Sequence, residues 1–141
     1  MPDALFSEIT PEFSEVLRRA NEFDVSATSC LIRTMQESRR AVAAISTIQG
    51  RMAWCCSSEE MAFSGLHNQT IRKGSPPPRS KTFELLPGLK FLPVAPISAT
   101  TPLPASDWFN AHRRVADWDL YEEVLPIAKY DSLLTILIHE E

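Results

Sequence analysis

Proline placement limits this chain more than any other feature. Eleven prolines occur in 141 residues, and most fall between Pro76 and Pro104. Proline lacks a backbone donor and its ring clashes with the preceding turn, so no long helix forms across that stretch. Gly74-Ser75-Pro76-Pro77-Pro78 reads as a polyproline-type connection, and Pro87-Gly88 marks a turn. The same stretch carries Phe83, Leu85, Leu86, Leu89, Phe91 and Leu92. Their apolar surface calls for burial, so the segment is expected to be ordered but irregular.

Regular structure must therefore lie on either side. Pro11 suits the first turn of a helix with Thr10 as N-cap, and Phe13, Val16, Leu17 and Ala20 recur on one face. Ser26 is placed to cap a second helix running to about Glu37, with Ala27, Leu31 and Met35 inward. Two helices joined by a short turn have the form of a helix-turn-helix unit. From Ala41 the period changes. Ala41–Ile48 is apolar and partly β-branched, Gln49-Gly50 supplies a turn, and Arg51–Cys56 reads as the returning strand of a hairpin. Two more strands are expected at Tyr121–Leu125 and Leu133–Ile138, the second central in its sheet because its apolar run is continuous. The fold class is thus α+β: short N-terminal helices over residues 1–40, then a mainly antiparallel sheet domain with Pro-rich loops over 41–141.

Composition sets the prior for partners. A net charge of −4 lacks the basic excess of a strong, unspecific nucleic-acid binder. No run approaches the roughly 20 apolar residues that span a bilayer, and the opening Met1–Phe6 lacks the basic start and apolar core of a signal peptide. Three cysteines, two of them vicinal at Cys55 and Cys56, do not read as a disulfide framework. A reducing, cytoplasmic setting and no membrane partner are expected.

The common catalytic patterns are missing from the sequence. His67, His112 and His139 are far apart and form no His-Glu-x-x-His, and there is no Gly-x-Ser-x-Gly elbow or Gly-rich phosphate loop. No catalytic or metal-ligating residue is assigned. Trp54, Trp108 and Trp118 are candidate walls of a ligand pocket, weighed against plain core packing. On the second helix Ser29, Arg33 and Gln36 share a face, with Arg39 and Arg40 just beyond it. In a DNA-binding use the first three would read bases and the two arginines would touch phosphate. The acidic total favours the other use, in which the helices pack on a neighbouring domain or protein.

A run of short segments resembles one family. Met1-Pro2-Asp3-Ala4-Leu5-Phe6 looks like the Leu-Met-Pro closing of the zinc peptidase domain in ImmA/IrrE-type metallopeptidases. Phe23-Asp24-Val25-Ser26 and Leu31-Ile32-Arg33-Thr34-Met35 are similar to that family's helix-turn-helix-like segment. Met52-Ala53-Trp54, Lys73–Pro78, Pro104–Trp108 and the Tyr121-to-Ile138 ending follow in family order. The resemblance implies a GAF-like sensing domain over 41–141, and a regulatory role in stress-response or mobile-element repressor control. It also implies that the zinc and its His-Glu-x-x-His ligands belong to a domain upstream of Met1, with no cofactor in this chain. Expected partners are a protein (the repressor or a separate peptidase domain) or a small ligand, with DNA the alternative. If the peptidase domain is missing, Leu5, Phe6 and Ile9 are left bare as an oligomer or domain contact, and a homodimer is one outcome.

Overall fold

The computed structural model describes Phe13, Leu17, Arg18 and residues 27–140. Its centre is a six-stranded sheet, and every pairing between named strands is antiparallel. The strands are β1 (Ala41–Ile48), β2 (Arg51–Ser57), β3 (Ile97–Ser98), β4 (Leu103–Pro104), β5 (Asp119–Ile127) and β6 (Ser132–His139). They lie in the order β2-β1-β6-β5-β3, with β4 also on β5. The continuous apolar run of Leu133–Ile138 is therefore central, between β1 and β5. Gln49 and Gly50 both take positive φ, 51° and 79°, which is the turn that matches the right-handed twist of a two-residue hairpin.

Both faces of the sheet are covered, because alternate side chains of each strand point to opposite sides. Val42 and Ala44 of β1, with Leu134 and Ile136 of β6, pack against Cys30, Leu31 and Met35 of helix α1 (Ala27–Glu37). The helical Phe13 is buried in that same cluster and Leu17 packs on it. The cap expected at Ser26, the contacts expected of Val16 and Ala20, and the contact face of Leu5, Phe6 and Ile9 lie outside the described residues. The division drawn at residue 40 falls in the turn between α1 and β1, and the helix and the sheet share this buried cluster across it.

Ala43, Ile45 and Leu137 face the other way, onto Met61, Leu66, Trp108 and Phe109. Helices α2 (Glu59–Phe63), α3 (Lys81–Leu85) and α4 (Ala105–Trp108) are the helical pieces between β2 and β5. The Pro-rich stretch is irregular, as its prolines require, with α3 running straight into a 3₁₀ helix at Leu86–Phe91. The expectation that all its large apolar side chains are buried fails in part. Leu89 is buried and Leu85 and Leu86 pack beside it, whereas Phe91 is 80% exposed and Phe83 39%. A 3₁₀ helix repeats every three residues, so Leu86 and Leu89 share the inward side and Phe91 falls off it. Among the described residues no helix is long and apolar enough to cross a membrane.

Candidate functional site

The fold brings the end of α1, the start of β1, the outer face of α2 and the end of β6 to one place. Ser58 fixes α2 there. Its hydroxyl accepts the Val42 N–H at 3.1 Å and the Met61 N–H at 3.2 Å, and its own N–H donates to the Val42 carbonyl at 2.8 Å. One buried serine thus caps α2 and ties it to the first strand. On the other side the turn out of α1 is held by the Arg40 N–H, which donates to the Ser38 hydroxyl at 3.1 Å. Arg39 and Arg40 are thereby left facing solvent.

Between these elements runs an open groove in two adjoining parts. The first, about 560 Å³, is lined by Gln36, Glu37, Arg39, Glu59, Glu60 and Phe63, with Ser38 and Ser64. The second, about 440 Å³, shares Arg39 and Glu60 and adds Arg40, Ala41, His139 and Glu140. Arg40 pairs with Glu140 at 3.8 Å; both are well exposed, so the pair adds little stability. Four carboxylates therefore line the groove against two guanidinium groups.

Of the residues singled out on the second helix, Gln36, Arg39 and Arg40 meet in this groove. Ser29 is exposed and Arg33 half-buried farther up α1, and neither lines it. The three tryptophans are not one wall. Trp54 packs on the α1 side of the sheet, while Trp108 and Trp118 belong to the core on the opposite face. Trp108 is fully buried, and its Nε1 has no hydrogen-bond partner among the described residues. Trp118 stacks on His139, with ring centroids 3.9 Å apart and planes 5° from parallel. His139 is thus packed into the end of β6 by its stack on Trp118.

No protein-family model matches the chain, and no curated protein does. Its chemistry has to be read from its own residues. Among the described residues no three His, Cys, Asp or Glu side chains come together as metal ligands. Burial pushes the Cys55 thiol from its usual 9.0 up to about 12, against the opposing pull of a hydrogen bond with Ser57. Burial raises Cys56 as well. Neither thiol is activated as a nucleophile. The His67 and His112 rings accept backbone N–H groups two residues on, from Gln69 at 3.1 Å and Arg114 at 3.2 Å, and so serve their own turns. Asp107 pairs with Arg79 at 2.9 Å, and α4 has Pro104 as its N-cap with no side-chain bond.

Two carboxylates of the expected strand Tyr121–Leu125 have partners that its local pattern does not disclose. Glu122 and Glu123 sit next to each other on β5 and point to opposite faces. Glu122, 5% exposed, accepts the backbone N–H groups of Lys81 at 2.9 Å and Thr82 at 2.8 Å, and the Thr82 hydroxyl. Glu123 accepts the N–H of Phe13. The only hint in the sequence is that two adjacent carboxylates in one strand cannot both face water when both faces are covered.

Proposed function

We propose that this chain acts by binding rather than by catalysis, as a regulatory module that docks a protein partner in the groove between α1, α2 and the β1–β6 end of the sheet. The observation that carries this reading is the convergence of Gln36, Arg39 and Arg40 with Glu60 and Phe63 along the two adjoining parts of the groove, which share Arg39 and Glu60. The groove stands on two central strands, a stiff base from which a bound partner could be positioned. Its excess of carboxylates favours a protein over a nucleic acid, whose phosphates they would repel.

The resemblance to the C-terminal region of ImmA/IrrE-type metallopeptidases suggests which partner. In that reading residues 41–141 are the GAF-like sensing domain, and the partner is the zinc peptidase domain or the repressor it cleaves. A cytoplasmic setting fits the free thiols of Cys30, Cys55 and Cys56. The test is to add the purified chain to an ImmA/IrrE-type peptidase domain with its repressor and to follow repressor cleavage. A changed rate that Arg39→Ala restores supports the reading, and an unchanged rate removes it.

DNA binding is the second reading, favoured by the outward exposure of Ser29, Gln36, Arg39 and Arg40. A low-salt gel shift with the family's operator, repeated with Arg33→Ala, tests it. The absence of any shift with either protein would end it.

A further inference from the structure

Three aromatic rings stand out from the surface: Phe63 at 94% exposure, Phe91 at 80% and Tyr130 at 66%. Two of them are served by the chain itself. Lys90 Nζ lies 5.1 Å from the centre of the Phe91 ring, and Lys129 Nζ lies 5.5 Å from that of Tyr130. A cation over the face of a ring is held by the ring's quadrupole. Among the described residues no lysine or arginine of the chain occupies the face of Phe63. Its helical neighbours at i−4 and i−3 are instead Glu59 and Glu60, exposed carboxylates. Met61 points inward to the core, so the outer side of α2 offers an open ring beside two negative charges at the rim of the groove.

We propose that this half of the groove takes a Lys or Arg side chain from a basic segment of the partner protein, laid on the Phe63 ring beside Glu59 and Glu60. The inference rests on the reading of the chain as a binding module, and it does not depend on the family resemblance. Charge complementarity selects the occupant. Glu37, Glu59 and Glu60 face the single guanidinium of Arg39 in this half, and none of the four makes an ion pair among the described residues. In the other half Arg40 is already neutralised by Glu140. The cation of the occupant supplies what the ring and the carboxylates lack. Arg39, on the α1–β1 turn, is left to meet a backbone carbonyl of the same segment.

The experiment is fluorescence anisotropy of the whole chain with a labelled Gly-Lys-Arg-Lys-Gly peptide, a Gly-Glu-Asp-Glu-Gly control and a duplex oligonucleotide. Saturable binding of the basic peptide alone is expected, weakening as salt is raised. Phe63→Ala should weaken it about fivefold, the scale of one cation–π contact at an exposed site. Glu60→Lys should weaken it by roughly tenfold through charge reversal, and both side chains lie on the exposed side of α2, outside the core. Absence of peptide binding, equal binding of the acidic peptide, undiminished binding by both variants, or binding of the duplex instead would each overturn the proposal. A positive peptide result with an unchanged repressor-cleavage rate would remove the family reading and leave this site standing.

Discussion

The carboxylate of Glu122 caps a helix forty positions earlier in the chain, accepting the Thr82 N–H at 2.8 Å beneath the surface. The Thr82 hydroxyl donates to the same oxygen and lies 2.7 Å from the Thr135 hydroxyl. Thr82 has one proton and gives it to the carboxylate, so Thr135 is the donor to Thr82. With Ser80 accepting the Phe83 N–H at 3.0 Å, the first three backbone donors of α3 are satisfied. The carboxylate also sits where the helix dipole favours negative charge.

Glu122→Ala should therefore cost about 3 kcal/mol, because the buried Thr82 N–H and hydroxyl and the half-buried Lys81 N–H lose a charged acceptor. On a domain of this size that is a fall of roughly 10 °C in melting temperature. Thr135→Val removes one donor and should cost about 1 kcal/mol. The double variant should lose less than the sum, since Thr135 acts through the network that Glu122 organises. Strict additivity would contradict the network.

The Cys55 thiol makes a prediction at alkaline pH. Its proton is held up to about 12 in the folded chain against 9.0 when exposed, so the stability it contributes is fully present below pH 9. Between pH 9 and about 12 the unfolded chain releases this proton and the folded chain keeps it, so that stability is lost as pH rises. Melting curves of the wild type and Cys55→Ala from pH 8 to 11 should converge as pH rises. Alkylation of the native chain at pH 8 should label the half-buried Cys56 before Cys55 and Cys30, which are 8% and 1% exposed.

The hairpin turn is open to improvement. Gln49 holds φ at 51°, a conformation that favours Asn or Gly. Gln49→Asn should raise stability by about 0.5 kcal/mol. Gly50→Ala should lower it by about 1 kcal/mol through backbone strain alone, because an added Cβ meets nothing within 4 Å. Denaturant midpoints read both.

Asn68 guards the edge strand. Its side-chain oxygen accepts the Cys55 N–H at 2.9 Å, and the Met52 N–H donates to the Gly74 carbonyl at 2.8 Å, so a loop occupies donors that a foreign strand would seek. Asn68→Ala should cost about 1 kcal/mol and promote concentration-dependent association, measurable by light scattering. A clean monomer of unchanged stability would show that the edge needs no such guard.

What the sequence disclosed was whatever depends on local period. The hairpin around Gln49-Gly50, the central strand at Leu133–Ile138 and the second helix ending at Glu37 all carry their pattern within a dozen residues. The groove does not: Glu37, Glu60 and Glu140 come from three distant stretches, and only the sheet brings them together. The role of Glu122 was hidden because its partners, Lys81 and Thr82, lie forty positions earlier, inside the Pro-rich stretch. β3 and β4 are two residues each, too short for any alternation to register. The exposure of Phe91 follows from a 3₁₀ period that begins only once Pro87 has been placed.

One feature of the sheet bears on how the chain would answer force. Ala41, where β1 begins, is paired with His139, where β6 ends, while at the other end the Gln49 N–H holds the Asp131 carbonyl at 2.9 Å. Whatever pulls on the chain from before β1 and from after β6 pulls on two neighbours at the same end of one ladder. The load then falls on a single pair at a time, beginning at Ala41 and His139 and moving inward, so the ladder opens as a zip rather than resisting as a sheared plate. That first pair lines the groove, and tension on the flanks would reach it before any other part of the sheet.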